Sequence, residues 1–126
     1  MLISWNWIQD YVAPKASAQA VAERLMMSGL NLEEVTAVGT DTCVDLEVTS
    51  NRPDCLSQIG VAREIGVLYG EQVRWADPQP QASGPSVSGL AAVELQAPDH
   101  CPQYIARLVR NVKIGPSPKW LVDRLA

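Results

Sequence analysis

The sequence predicts an α+β fold. A small domain of about three helices packs on an antiparallel hairpin, winged-helix-like in outline, and the incomplete start of a second, α/β domain follows. Three observations carry this reading. Apolar residues recur at helical spacing in separate short runs, two adjacent runs alternate apolar with polar residues across a Gly-Thr-Asp turn, and one stretch has neither pattern. That stretch, "ADPQPQASGPSVSG", is rich in Pro, Ser and Gly and reads as a linker. The chain therefore divides into residues 1–75, a linker at 76–90 and a second unit at 91–126.

The first helix is expected in "WNWIQDYV". Ser4 stands as its cap, Trp5, Ile8 and Val12 form one face, and Pro14 ends the run. Ser17 caps a second helix through "AQAVAERLMM", whose apolar face is Ala18, Val21, Ala22 and Leu25, with Gly29 as a left-handed stop. The tryptophans of the first helix and the Met26-Met27 pair of the second are read as core, the methionines as gap-fillers. Then come "NLEEVTAVG" and "TCVDLEVTS", the two hairpin strands. Val44, Leu46 and Val48 alternate with Asp45 and Glu47, so the two carboxylates lie on the opposite, solvated face. With no histidine and no third ligand nearby, they read as a strand surface rather than a catalytic or metal-binding pair.

The "SNRPDCLS" corner ends the second strand. Pro53 removes a ladder donor and keeps Arg52 out of the helical region, so the chain must turn. Asp54 is expected to cap the third helix through the amides of Leu56 or Ser57, a bond worth about 1 kcal/mol. From Cys55 the residues Leu56, Ile59, Ala62, Ile65 and Leu68 or Tyr69 form the helix stripe. Gly60 and Gly66 each cost this helix about 1 kcal/mol relative to Ala, so a physical reason for them is expected, of which close approach of another backbone is one. Arg63 and Glu64 project from its flanks in solvated or salt-bridged roles.

Composition limits the function. No apolar run approaches the roughly 20 residues that a membrane span needs. The amino terminus lacks a basic segment and carries Asn6, Gln9 and Asp10, which argues against a secretory signal and for a cytoplasmic protein. Cys43, Cys55 and Cys101 are widely spaced, without a C-x-x-C pair, and read as reduced thiols. Residues 1–77 hold five Lys/Arg against eleven Asp/Glu, whereas residues 78–126 hold five against three. An acidic front half is a poor footprint for nucleic acid, whose binding depends on clustered cations. In the second unit, "QYIARLVRNVKI" is expected to be a strand built on Tyr104, Ile105, Leu108 and Val109. A helix opened by Pro116 or Ser117 follows, with Trp120, Leu121 and Leu125 on its apolar face. His100, between Asp99 and Cys101 in "APDHCP", belongs to a turn rather than to a catalytic pair.

Three motifs, in order, resemble one family. "DLEVTSNRPDCLSQIGVAREIGVLYG" is similar to the strand, T-x-N-R-x-D-C-L corner and I-G-x-A-R-E/D helix of the bacterial phenylalanyl-tRNA synthetase beta chain. "MLISWNWIQDYV" with "ERLMMSGLNLEEV" is similar to that family's amino terminus. "VELQAPDHCPQYIARLVRNVKIGPSPKWLVDRLA" is similar to the start of its larger, editing-type domain. One departure is clear: Val38 runs through "GTDT" directly into Cys43, where bacterial beta chains usually carry an inserted oligonucleotide-binding barrel.

The resemblance implies an amino-terminal fragment of a protein that attaches phenylalanine to its tRNA using ATP and Mg. The parent assembles as two alpha and two beta chains, with tRNA as a further partner. Its synthetic site lies on the alpha chain and its editing pocket in later sequence, so the resemblance places no catalytic, cofactor-binding or metal-binding residue here. Asn51, Arg52 and Arg63 become the candidate tRNA or subunit contacts, and Pro53 and Asp54 the structural corner. The competing readings are a free-standing winged-helix-like nucleic-acid module, with Arg52 and Arg63 on phosphate, and an interaction adaptor anchored by Trp7 and Trp75.

Overall fold

A computed structural model describes residues 1–125. They divide into two units, Met1–Pro78 and a second from Gln79 onward. The first contains every strand and the first three helices: β1 (Leu2–Ser4), α1 (Trp5–Tyr11), α2 (Ala18–Met27), β2 (Asn31–Val38), β3 (Asp41–Glu47) and α3 (Gln58–Tyr69).

The sheet is antiparallel with order β1-β3-β2. The hairpin β2–β3 is as expected, closed by Gly39 and Thr40 between the paired residues Val38 and Asp41. Gly39 has φ 58°, the positive value that a tight hairpin turn with glycine in its first central position requires. A bulge between Leu32 and Glu34 sets the register so that Val35 faces Val44. Strand β1 was not foreseen: its three residues pair with Cys43, Val44 and Asp45, which places Ile3 beside Val44 on the inner face.

Caps behave largely as read. Ser4 accepts from the Trp7 amide at 3.1 Å and Ser17 from the Ala20 amide at 3.2 Å, each satisfying a donor that an α-helix leaves open. Gly29, with φ 104°, follows the end of α2. The core gathers Ile3, Ile8, Val12, Val21, Ala22, Leu25, Leu30, Val44, Leu46, Val61, Ala62 and Ile65 between the inner sheet face and the three helices. Trp5 packs against it partly buried. The methionines correct the expectation: Met26 and Met27 are exposed, because the turn of α2 that carries them has passed beyond the buried face of Val21, Ala22 and Leu25.

Both helical glycines have their backbone neighbour. A Cβ on Gly60 would lie 1.9 Å from the Asp54 carbonyl oxygen, and one on Gly66 would lie 2.9 Å from the Glu71 carbonyl oxygen and 2.8 Å from Val73 Cγ2. Gly60 therefore lets the corner lie directly against α3.

The second unit contains a 3-10 turn at Val87–Gly89 and helix α4 (Lys119–Leu125). The strand expected through residues 103–114 is not formed among the described residues; Tyr104, Ile105 and Val109 are exposed. A strand exists through hydrogen bonds to a neighbour, and a run of apolar residues alone does not supply one. Trp120 and Leu125 of α4 are likewise exposed.

Gly60→Ala is expected to cost about 3 kcal/mol or more in a urea titration, despite the better helix propensity of alanine, because backbone rather than a flexible side chain blocks the new methyl group. A loss under about 1 kcal/mol would mean that the corner can move away from α3.

Candidate functional site: the Asn51–Asp54 corner

The corner starts where β3 has ended. Arg52 donates its amide to the Thr49 carbonyl at 2.9 Å, and its φ of −121° with ψ of 49° lies outside the helical region, as Pro53 demands. Pro53, Asp54 and Cys55 then form one 3-10 turn, with the Cys55 amide on the Arg52 carbonyl at 3.0 Å.

Here the expected cap is corrected. Helix α3 begins three residues after Cys55, and its cap is Ser57, whose hydroxyl accepts from the Gly60 amide at 3.0 Å. Asp54 does not cap it, because its carboxylate is taken by Arg52. Nε of Arg52 donates to Oδ1 at 3.1 Å and Nη2 to Oδ2 at 3.0 Å, the forked geometry that suits a guanidinium and a carboxylate. Leu56, preceding the helix, is exposed and leaves the apolar stripe to Val61, Ala62 and Ile65.

Nη2 of Arg52 also reaches Oε2 of Glu64 at 2.8 Å and Sγ of Cys55 at 3.1 Å. One half-buried guanidinium thus ties the turn to the second turn of α3. The hydrogen bonds from Arg52 hold the Asp54 carboxyl down at about 2, although local desolvation opposes them. The bonds to Asp54 and Glu64 raise the Arg52 pKa further above its ordinary value. Burial first, and then the hydrogen bond to Asp54, push the Cys55 thiol up to about 11. This cysteine is a protonated core group at neutral pH.

The remaining candidates lie apart from this network. Asn51 is exposed and its Oδ1 accepts from Thr49 Oγ1 at 2.5 Å. Arg63 is exposed on α3 and borders an open groove with Val67, Val73 and Trp75. Trp75 is exposed, whereas Trp7 is half-buried. His100 sits in a turn, its amide and that of Cys101 both on the Ala97 carbonyl, while the Cys101 thiol points to the Gln103 carbonyl at 3.5 Å. The interior of the first unit leaves a cavity of only about 10 Å³ with almost wholly apolar walls, too small and too dry for a ligand. Among the described residues no group of three or more His, Cys, Asp or Glu side chains gathers as a metal site. No described helix is long and apolar enough to cross a membrane.

Sequence reasoning missed Glu64 as the second partner of Arg52. Its only signal was an acidic residue on the α3 flank, since nothing in the spacing of residues 52 and 64 reveals how the corner folds back.

Two measurements check the network. The folded pKa of Asp54 is depressed, so its stabilisation is complete above about pH 4 and is lost as the pH falls toward 2. Wild type is therefore expected to lose more stability across that window than Asp54→Asn, as followed by circular dichroism. At pH 7 a maleimide is expected to label Cys43 and Cys101, which are partly exposed, and to reach Cys55 only in denaturant. Labelling of native Cys55 as fast as Cys101 would contradict the buried, protonated thiol.

Comparison with known proteins places this corner in a family. No family model matches the chain, and no solved structure matches it. The phenylalanine–tRNA ligase beta subunit of Rhodopirellula baltica is 46% identical over 125 residues, covering 99% of the chain and 18% of that protein. The same subunit of Moorella thermoacetica is 51% identical over 81 residues, covering 64% of the chain and 10% of that protein. That of Symbiobacterium thermophilum is 44% identical over 99 residues, covering 77% and 11%. The chain spans less than a fifth of the length of these relatives. The Rhodopirellula match covers nearly all of the chain in 125 aligned residues, so that relative also has no long insert within the matched part. The chain accordingly belongs to the phenylalanine–tRNA ligase beta-subunit family, as the counterpart of one part of those longer proteins.

Proposed function

We propose that this chain is the amino-terminal structural part of a beta subunit of phenylalanine–tRNA ligase, the cytoplasmic enzyme that attaches phenylalanine to its tRNA using ATP. Its role is to scaffold assembly with the alpha subunit, in a complex of two alpha and two beta chains. ATP and Mg act elsewhere in the parent, and no residue of this chain is assigned to them. Contact with tRNA is secondary and falls to the exposed Asn51 and Arg63.

The observation that supports this reading is the internal use of the corner. The guanidinium of Arg52 is taken by Asp54 and Glu64, and the small apolar cavity inside the unit has no room for a ligand. A residue spent this way supports a shape. The nucleic-acid module and the free-standing adaptor are not favoured by the family found.

The test uses a complete beta subunit carrying Arg52→Ala, co-expressed with its alpha subunit. The expected outcome is a lower yield of assembled complex, with phenylalanine activation, read as ATP–pyrophosphate exchange, unchanged per complex recovered. A normal yield with impaired aminoacylation would instead give Arg52 a direct role at the substrate.

A further inference from the structure

We infer that Arg74 is a clasp that closes the C-terminal end of α1 and thereby fastens to it the segment that follows α3. The inference does not depend on the family or on the assembly role, because it rests on contacts within Met1–Pro78.

An α-helix leaves its last carbonyls without intrahelical donors, and its C-terminal end favours a cation. Helix α1 has no basic residue in its last turn. Its Ile8 carbonyl is met by the Val12 amide at 2.9 Å. Two later carbonyls are met from far along the chain by one residue: the Arg74 amide donates to Tyr11 O at 2.7 Å, and Nη2 of Arg74 donates to Gln9 O. Arg74 thus supplies both the donors and the positive charge that the helix end lacks.

The segment that carries Arg74 there is braced along its length. Gly70 ends α3 in the left-handed region with φ 66°, and the Glu71 amide returns to the Gly66 carbonyl at 2.9 Å. Val73 then lies over Gly66, close enough that a methyl group there would meet its Cγ2 at 2.8 Å. Residues 71–74 are therefore a strap from the end of α3 to the end of α1. Every residue from Trp75 through His100 is exposed. Arg74, itself exposed, ties this strap to α1 immediately ahead of that stretch.

Limited trypsinolysis of the whole chain tests this, because trypsin cuts after arginine and lysine. Each rate is normalised to the same bond in protein unfolded by urea. In wild type the bond after Arg74 is expected to be cut at least about ten-fold more slowly than those after Arg107 and Arg110, since cleavage needs the strap to open. Arg74→Lys keeps the cleavage site but loses the guanidinium reach, and should raise the rate there several-fold. Gly66→Ala keeps Arg74 and pushes the strap outward, and should do the same while circular dichroism shows the helices intact. Wild-type cleavage after Arg74 as fast as after Arg107 would overturn the inference, as would two folded variants that leave its rate unchanged.

Discussion

The fold of the first unit depends on one steric fact: the Asp54 carbonyl occupies the space that a side chain at position 60 would take. Only glycine at that position lets the 3-10 turn touch the helix. With the turn seated there, Cys55 enters the core fully buried, and Arg52 comes within reach of a carboxylate on the turn and another on the helix. The helix is then held at the angle that sends Val61, Ala62 and Ile65 toward the sheet and α1. Moving the turn away by the width of one methyl group would break the Arg52 bridge to Glu64 and open the space around Cys55 together. Geometry comes first here, and the ion pairs then hold it. Fully exposed pairs contribute little by themselves, whereas the forked, half-buried arrangement of Arg52 keeps the turn in the register that Gly60 permits.

Charge is used inwardly throughout this unit. Its first 77 residues carry a net −6, which disfavours a phosphate backbone at long range. Of the five cations, Arg52 is held by Asp54 and Glu64, Arg74 by the end of α1, and Arg24 lies over the Tyr69 ring at 4.9 Å from its centroid. Lys15 and Arg63 remain exposed. A nucleic-acid reader would need its cations clustered on one outward face. Here most of them are committed to joining elements of the same unit, which is why a scaffold reading accounts for the sequence better than a groove-binding one.

What could be read from the sequence was local. The caps Ser4 and Ser17, the Gly29 stop and the Val44/Leu46 alternation each depend on neighbours within a few residues, and each is where the pattern puts it. The features that escaped depend on partners far along the chain. Strand β1 is too short to show a period and exists only because β3, some forty residues later, offers an edge. Asp54 has every local attribute of a cap, yet the Arg52 fork claims its carboxylate and Ser57 takes over. Residues 103–114 carry an apolar-rich, strand-like run, but a ladder needs a second strand, and the run cannot reveal whether one is at hand. For the candidate site, the corner, its proline and a backbone close to Gly60 were legible, while the Asp54 carbonyl as that backbone and Glu64 as a partner of Arg52 were not.

The hairpin turn explains why the chain can pass from β2 to β3 without an intervening domain. Asp41 pairs with Val38, so the ladder closes around Gly39 and Thr40 alone. The same Asp41 carboxylate accepts from the Ser4 hydroxyl and from the Asn6 and Thr42 amides; burial would raise its pKa, but these bonds outweigh it and hold the group ionised. A single side chain therefore stabilises the turn and supplies a negative charge to the start of α1, where the helix dipole favours one. The relative from Rhodopirellula baltica passes through this region with no long insert either, so the short connection recurs in a second sequence. A two-residue turn that also anchors a helix needs nothing inserted between its strands to hold them in register, and the unit is closed at this end by its own residues.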